Sequence, residues 1–245
     1  MSNFRFTRVD RFPPIVKNLI IINVLVWIAQ LVFNKPEFNL TDILALYPVD
    51  SPDFKPYQVV THMFAHASYG PGGGIVFYHI LFNMFTLWMF GRILENVWGA
   101  KRFLTFYLIC GLGAAACHLL VQHLRYDPAI IQQLSNAIET HDQQTIDQLI
   151  PRVGFLAPAL GASGAIMGVM VAFAYLFPNT ELYIMLIPIP IKAKWAMLGL
   201  AAIDLFGGVG QIQGDNIAHF AHLGGALTGF IIVLIWNKTN RKTLY

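Results

Sequence analysis

The chain has 245 residues, 56% of them hydrophobic and only 12% charged, and its mean hydropathy is +0.56. That is too apolar for an ordinary soluble domain and specifies an all-α membrane protein that crosses the bilayer several times. The formal net charge is +3, from 16 Lys and Arg against 13 Asp and Glu, and the cations fall in short clusters between apolar runs, which suits topology signals and argues against a nucleic-acid partner.

Arg5, Arg8, Arg11 and Lys17 lie around the start of a first apolar run at 15–33 and place the N-terminal end in the cytoplasm. This run is as long as a true span, so no cleavable signal peptide is expected. Residues 34–74 are too long for a hairpin and are expected to be partly ordered at the outer interface. His62 and His66 within them lack a third ligand at metal-site spacing, and structural hydrogen bonding is expected. A second span at 75–91 is closed by Arg92, and Lys101 with Arg102 returns the chain to the cytoplasm. The third span, 103–121, is rich in Gly and Ala and suits the inside of a bundle. Its Cys110 and Cys117 sit two helical turns apart, roughly 10 Å, too far for a disulfide.

The Gln-rich segment 122–152 has helical periodicity and is placed outside. A fourth span at 155–177 runs inward to Pro178, and the stretch 182–191, broken by Pro188 and Pro190 and followed by Lys192 and Lys194, reads as a cytoplasmic connector. The fifth span, 195–209, would be about 22 Å long if helical, thin for a bilayer of about 30 Å. A glycine-rich loop at 207–216 leads to the sixth span at 217–236, which Asp215 and Asn216 are expected to cap. Asp204 is expected near the outer end of the fifth span. Lys238, Arg241 and Lys242 anchor the C-terminal end. Six spans with both termini cytoplasmic follow, divided as an N-terminal segment at 1–14, a membrane domain at 15–237 and a tail at 238–245.

The chemistry centres on Gly161-Ala162-Ser163-Gly164. A hydroxyl among Gly and Ala in hydrocarbon is either packing glue or a nucleophile. A helix starting near Ala162 would put Ser163 in its first turn, where free backbone N–H groups can stabilise an oxyanion. The fourth and sixth spans both run inward, and the stripe Gly164, Gly168, Ala172 matches Ala221, Gly225, Gly229, so their backbones can approach closely. Ser163 and His222 then lie at comparable depths, where an imidazole accepting the serine proton is what nucleophilic catalysis requires. His222 read by itself fits an interhelical polar residue equally. His79 and Asn83, spaced i, i+4, share a face and suit either an oxyanion hole or an interhelical clamp. Cys110, Cys117 and His118 are expected away from this site.

Taken together, Gly161-Ala162-Ser163-Gly164, His79-x-x-x-Asn83 and Ala221-His222-x-x-Gly225-x-x-x-Gly229, in that order within six predicted spans, resemble rhomboid intramembrane serine proteases. The likeness runs from about Thr61 to Gly229 and includes Thr61-His62-x-Phe64-x-His66 and Trp98-Gly99. The resemblance implies a six-helix bundle and a serine endopeptidase with Ser163 as nucleophile and His222 as base and acid, a dyad with no third carboxylate. It further implies oxyanion donors from the Ser163 backbone, His79 and Asn83, close helix packing at Gly161, Gly164, Gly168, Gly225 and Gly229, no cofactor and no metal. Its substrates would be other transmembrane proteins in the lipid bilayer. Two departures stand out: Met167 where some members carry an aromatic ring against the histidine, and a glycine-rich insertion at 70–74. His219, one turn before His222, lacks the register to Gly225 and Gly229. So compact a form suits a bacterial inner membrane, with the site opening on the outer, periplasmic side. Two other readings remain: an inactive rhomboid-like protein that binds membrane clients, and a small transporter.

Overall fold

Three helices in the computed structural model are long and apolar enough to cross a membrane by length and composition: Pro14–Val32, Ala100–Arg125 and His219–Lys238. The structure describes residues 10–35, 37–70, 72–183, 189–210 and 218–239. The first helix, α1 (Pro14–Val32), begins where Pro13 ends an extended stretch and Pro14 takes the first helical position, which has no use for an N–H. Two short helices, α2 (Leu40–Leu44) and α3 (Gln58–Thr61), and a 3-10 turn at His62–Phe64 order the connection that follows. Next comes α4 (Tyr78–Thr86), which runs through a π-helical turn at Leu87–Gly91 into α5 (Arg92–Trp98). The rod therefore continues past Gly91 and Arg92, where the sequence suggested its end, and stops at Gly99, whose φ of 80° only glycine adopts freely.

The polar segment expected outside forms a hairpin of α7 (Pro128–Glu139) and α8 (Gln143–Val153), after the long α6 (Ala100–Arg125). Asp127 and Asp142 cap its two helices by accepting from Ala129 and Thr145 N–H groups. The exposed Asp142 carboxyl is held below its ordinary range, first by the Thr145 hydroxyl and then by its backbone N–H. The last three helices are α9 (Ser163–Leu176), α10 (Ala193–Gly210) and α11 (His219–Thr239). With 18 residues, α10 is about 27 Å long and not the thin 22 Å element expected. Much of the proline connector, the Asp215–Asn216 cap and most of both tails lie outside the described residues.

Helices α6, α9 and α11 form the centre. Gly164 faces Ala114 of α6 and Ala221 of α11, and Gly168 faces Cys110 and Gly225. A Cβ on Gly225 would overlap the Gly164 carbonyl, and one on Gly229 would come within 2.7 Å of Gly168 Cα. Because 164 pairs with 221–225 and 168 with 225–229, α9 and α11 run parallel, backbone against backbone. The third span is thus closer to the site than expected: Cys117, a free thiol like Cys110, packs where Gly224 leaves room.

Outside this centre the usual arrangement is inverted. Leu25, Ile28, Phe82, Phe85, Ile203 and Phe206 are exposed, whereas Asn23, Gln30, Glu95, Gln122 and Asp204 are buried, the pattern of a protein whose solvent is lipid. Each of the buried polar groups Asn23, Gln30 and Glu95 has a hydrogen-bonded task. The Glu95 carboxylate accepts from the Ile15 and Val16 N–H groups at 2.9 and 2.8 Å, which caps the start of α1 from 80 residues away. Glu95→Ala would strand both donors, and we expect it to lower unfolding free energy by about 1–3 kcal/mol, read as a fall in Tm in detergent. An unchanged Tm would mean that water replaces the carboxylate.

Candidate active site

The Ser163 region is held by the connection after α1. Leu46 and Ala159 exchange both backbone hydrogen bonds, at 2.8 and 2.9 Å, and the Gly161 N–H donates to the His62 carbonyl at 2.9 Å. Gly161 has φ +124°, a conformation closed to L side chains. A Cβ there would lie 3.1 Å from His79 Nε2 and 3.6 Å from Ser163 Oγ, so the glycine keeps open a gap flanked by these two groups. Ser163 is the first residue of α9, and no side chain caps that helix. The first intrahelical N–H to find a carbonyl is that of Ile166, on Ala162, which leaves the Ser163 N–H directed away from the helix body.

His222 stands in the first turn of α11. Its Nε2 is 2.8 Å from Ser163 Oγ, and its Nδ1 is 3.0 Å from Asp204 Oδ1. The same carboxylate oxygen is 2.8 Å from His219 Nδ1. A carboxylate only accepts, so both histidines carry their proton on Nδ1; the lone pair of His222 Nε2 then faces the Ser163 hydroxyl, which donates to it. The three groups come from three helices: α9 supplies the hydroxyl, α11 the ring and α10 the carboxylate.

Asp204 is the residue the sequence reading placed only as a helix-end aspartate. The signal was available in its setting, since a carboxylate within an apolar run requires a partner, and His219 and His222 at i, i+3 present two on one face. His219, weighed only as a rival base, shares that carboxylate.

His79 Nδ1 accepts the Ala67 N–H at 3.1 Å, so Nε2 carries the proton and is a donor at the edge of the gap. Asn83 is less available. Its Nδ2 donates to the His79 carbonyl at 2.8 Å, one turn back on the same helix, and its buried Oδ1 has no protein partner. One amide hydrogen remains for another acceptor.

His79 is itself backed by His66, whose ring meets it edge to face at 5.2 Å. Gln30 grips the His66 backbone on both sides, and His66 Nε2 donates to Asn23 Oδ1 at 2.8 Å. Burial, aided by His79, pushes the His66 imidazole down to about 3, which keeps it neutral and its Nδ1 bare. Two polar residues of α1, Asn23 and Gln30, thus hold the histidine that backs His79. His62 is hydrogen-bonded through Nδ1 to the Gln58 carbonyl, and desolvation lowers its pKa as well.

The space beside Ser163 is small. Among the described residues a cavity of about 10 Å³ is lined by His62, Ala159, Gly161, Ser163 and Ala221, among others, enough for a single water. A larger cavity, about 480 Å³, lies at the far end of α11 between Trp98, Arg102 and Trp236.

Fold and site together define a class: a membrane-embedded helical protein with a hydroxyl, an imidazole and a carboxylate in series on three packed helices. The Rhomboid domain family model matches residues 53–238. The chain belongs to the rhomboid family.

It is similar to Rhomboid protein 1, mitochondrial, of Saccharomyces cerevisiae, with 28% identity over 63% of this chain and 37% of that protein. It is 32% identical to Presenilin-associated rhomboid-like protein A, mitochondrial, of Danio rerio, over 65% of this chain and 36% of the relative. RHOMBOID-like protein 12, mitochondrial, of Arabidopsis thaliana is 28% identical over 89% of this chain and 56% of its own length. The chain therefore spans about a third to just over half of the curated relatives it matches. All three relatives are mitochondrial by name, which overturns the bacterial inner-membrane address expected above. Compactness was a poor guide, because a helical bundle meets the same hydrocarbon in either membrane and its size carries no compartment signal.

Proposed function

We propose that the chain is an intramembrane serine endopeptidase that cleaves transmembrane proteins within or beside their spans. The observation that carries this reading is the 2.8 Å approach of His222 Nε2 to Ser163 Oγ. Ser163 Oγ attacks the scissile carbonyl carbon while its proton passes to Nε2. The resulting oxyanion accepts from the Ser163 N–H and from His79 Nε2, with the remaining Asn83 hydrogen as a third donor. Collapse breaks the C–N bond, and the amine leaves with the proton from Nε2; water, activated by the same nitrogen, then releases the acyl group and restores Ser163. A hydrogen-bonded helix hides its carbonyls, so substrates are single-span proteins whose helix is weak near the bilayer edge.

The close fit around Ser163 favours a second reading, an inactive rhomboid-like protein that binds membrane clients. One experiment separates the two: incubation of the purified protein with a fluorophosphonate, followed by peptide mapping. A single phosphonylated residue, Ser163, is expected; a protein that binds a single-span client but takes no label would overturn the protease reading in favour of the second.

A further inference from the structure

Asp204 has no part in the steps just described, and its position is that of a group acting on the base. We propose that Asp204 is a positioning residue for His222, holding the imidazole in the tautomer and orientation that present Nε2 to the Ser163 hydroxyl. The proposal rests on the reading of Ser163 as nucleophile.

The Asp204 side chain is 9% exposed on a helix whose neighbours in sequence, Ile203 and Leu205, face outward. A carboxylate is costly there unless it is paired. It is met by two imidazoles, and both reach one oxygen, Oδ1, through Nδ1. The consequence for His222 is directional. With its proton held on Nδ1 by a carboxylate 3.0 Å away, the nitrogen left basic is the one facing Ser163. When Nε2 takes the serine proton, the ring becomes a cation, and the charge of Asp204 favours it in a setting where little water screens the pair. The Nδ1 proton stays on the ring throughout. The carboxylate supplies charge and orientation and takes no proton. His219 is the second donor and holds the carboxylate in its rotamer, so the two histidines divide the work: one fixes the aspartate and the other is fixed by it.

An amide in place of the carboxylate can donate to Nδ1, which moves the imidazole proton to Nε2 and leaves no base facing the hydroxyl. The test uses the full chain in detergent with a single-span substrate, measuring kcat, KM and Tm for wild type, Asp204→Asn, Asp204→Glu and His219→Gln. D204N is expected to lower kcat by about 10²- to 10⁴-fold with KM within about threefold of wild type. D204E should fall between D204N and wild type, because it keeps the charge but displaces it. H219Q should lose less than D204N. A D204N enzyme with kcat within about threefold of wild type would overturn the positioning role, as would equal losses in D204N and H219Q that follow their Tm, since that is what a mere tie between α10 and α11 predicts. If D204N does not fold, D204E decides: an intermediate kcat supports the role and a wild-type kcat overturns it. Wild-type protein that is neither labelled nor active would sink the protease reading itself, an outcome distinct from an active enzyme indifferent to D204N.

Discussion

Ser163→Ala, His222→Ala and the double variant are expected to fall to one common floor of cleavage, about 10⁴-fold or more below wild type. The hydroxyl is a weak nucleophile without a base 2.8 Å away, and the base has no proton to accept without the hydroxyl. Groups that act as a unit lose their effect together, so the second change should cost nothing once the first is made. For Ser163→Ala the loss will not come from unfolding. Ser163→Ala removes one oxygen and one hydrogen bond, worth about 1 kcal/mol, and α9 has no side-chain cap to lose. Cleavage of a single-span substrate, followed by gel and mass spectrometry, reads all three variants. Residual activity in Ser163→Ala, or losses that multiply in the double variant, would show that the two side chains do not form one catalytic unit.

The second large effect belongs to Gly225. A methyl group there meets the Gly164 backbone carbonyl, which has no rotamer to change, so α9 and α11 must move apart. Overpacking of a fixed core costs about 1–3 kcal/mol, and a backbone obstacle puts Gly225→Ala at the upper end. The same displacement separates Ser163 from His222, and a shift of about 1 Å at reacting groups can cost about 100-fold in rate. Gly225→Ala should therefore lose both Tm and activity. Gly199→Ala is the control: it lies in α10, with nothing within 4 Å of the added methyl, and alanine is the better helix former. Equal Tm values for the two variants would mean that the α9–α11 approach is not tight.

What the sequence disclosed and what it hid divide along physical lines. Helices were legible because hydrocarbon demands runs of apolar residues, and Ser163 and His222 stood out because polar groups in such runs are rare. The Gly164 and Gly168 stripe was legible through its period of four. Asp204 was visible but not its partners: its reach to His222 depends on the register of α10 against α11, which no periodicity within either helix encodes. Glu95 lay in plain view as a polar residue after a span, yet its partners are 80 residues earlier. Asn23 and Gln30 were hidden inside an apolar run by the averaging that identified it as a span. The nearness of α6 was missed because its small residues, Gly111, Gly113 and Ala114, gave a reason for burial without naming what they pack against.

The bare approach of α9 to α11 carries one more consequence. Two rods that touch through their peptide groups have no side-chain cushion to compress, so Ser163 and His222 are mounted on a joint with little to give. By contrast, α10 leans on α11 through the rings of His219 and Phe220, which stand over Gly207 and Gly208. Here too glycines let the two helices close on each other, but the contact runs through rings and not through peptide groups. The hydroxyl and the imidazole thus share one joint of bare backbone, whereas Asp204 reaches the imidazole across a joint made of side chains.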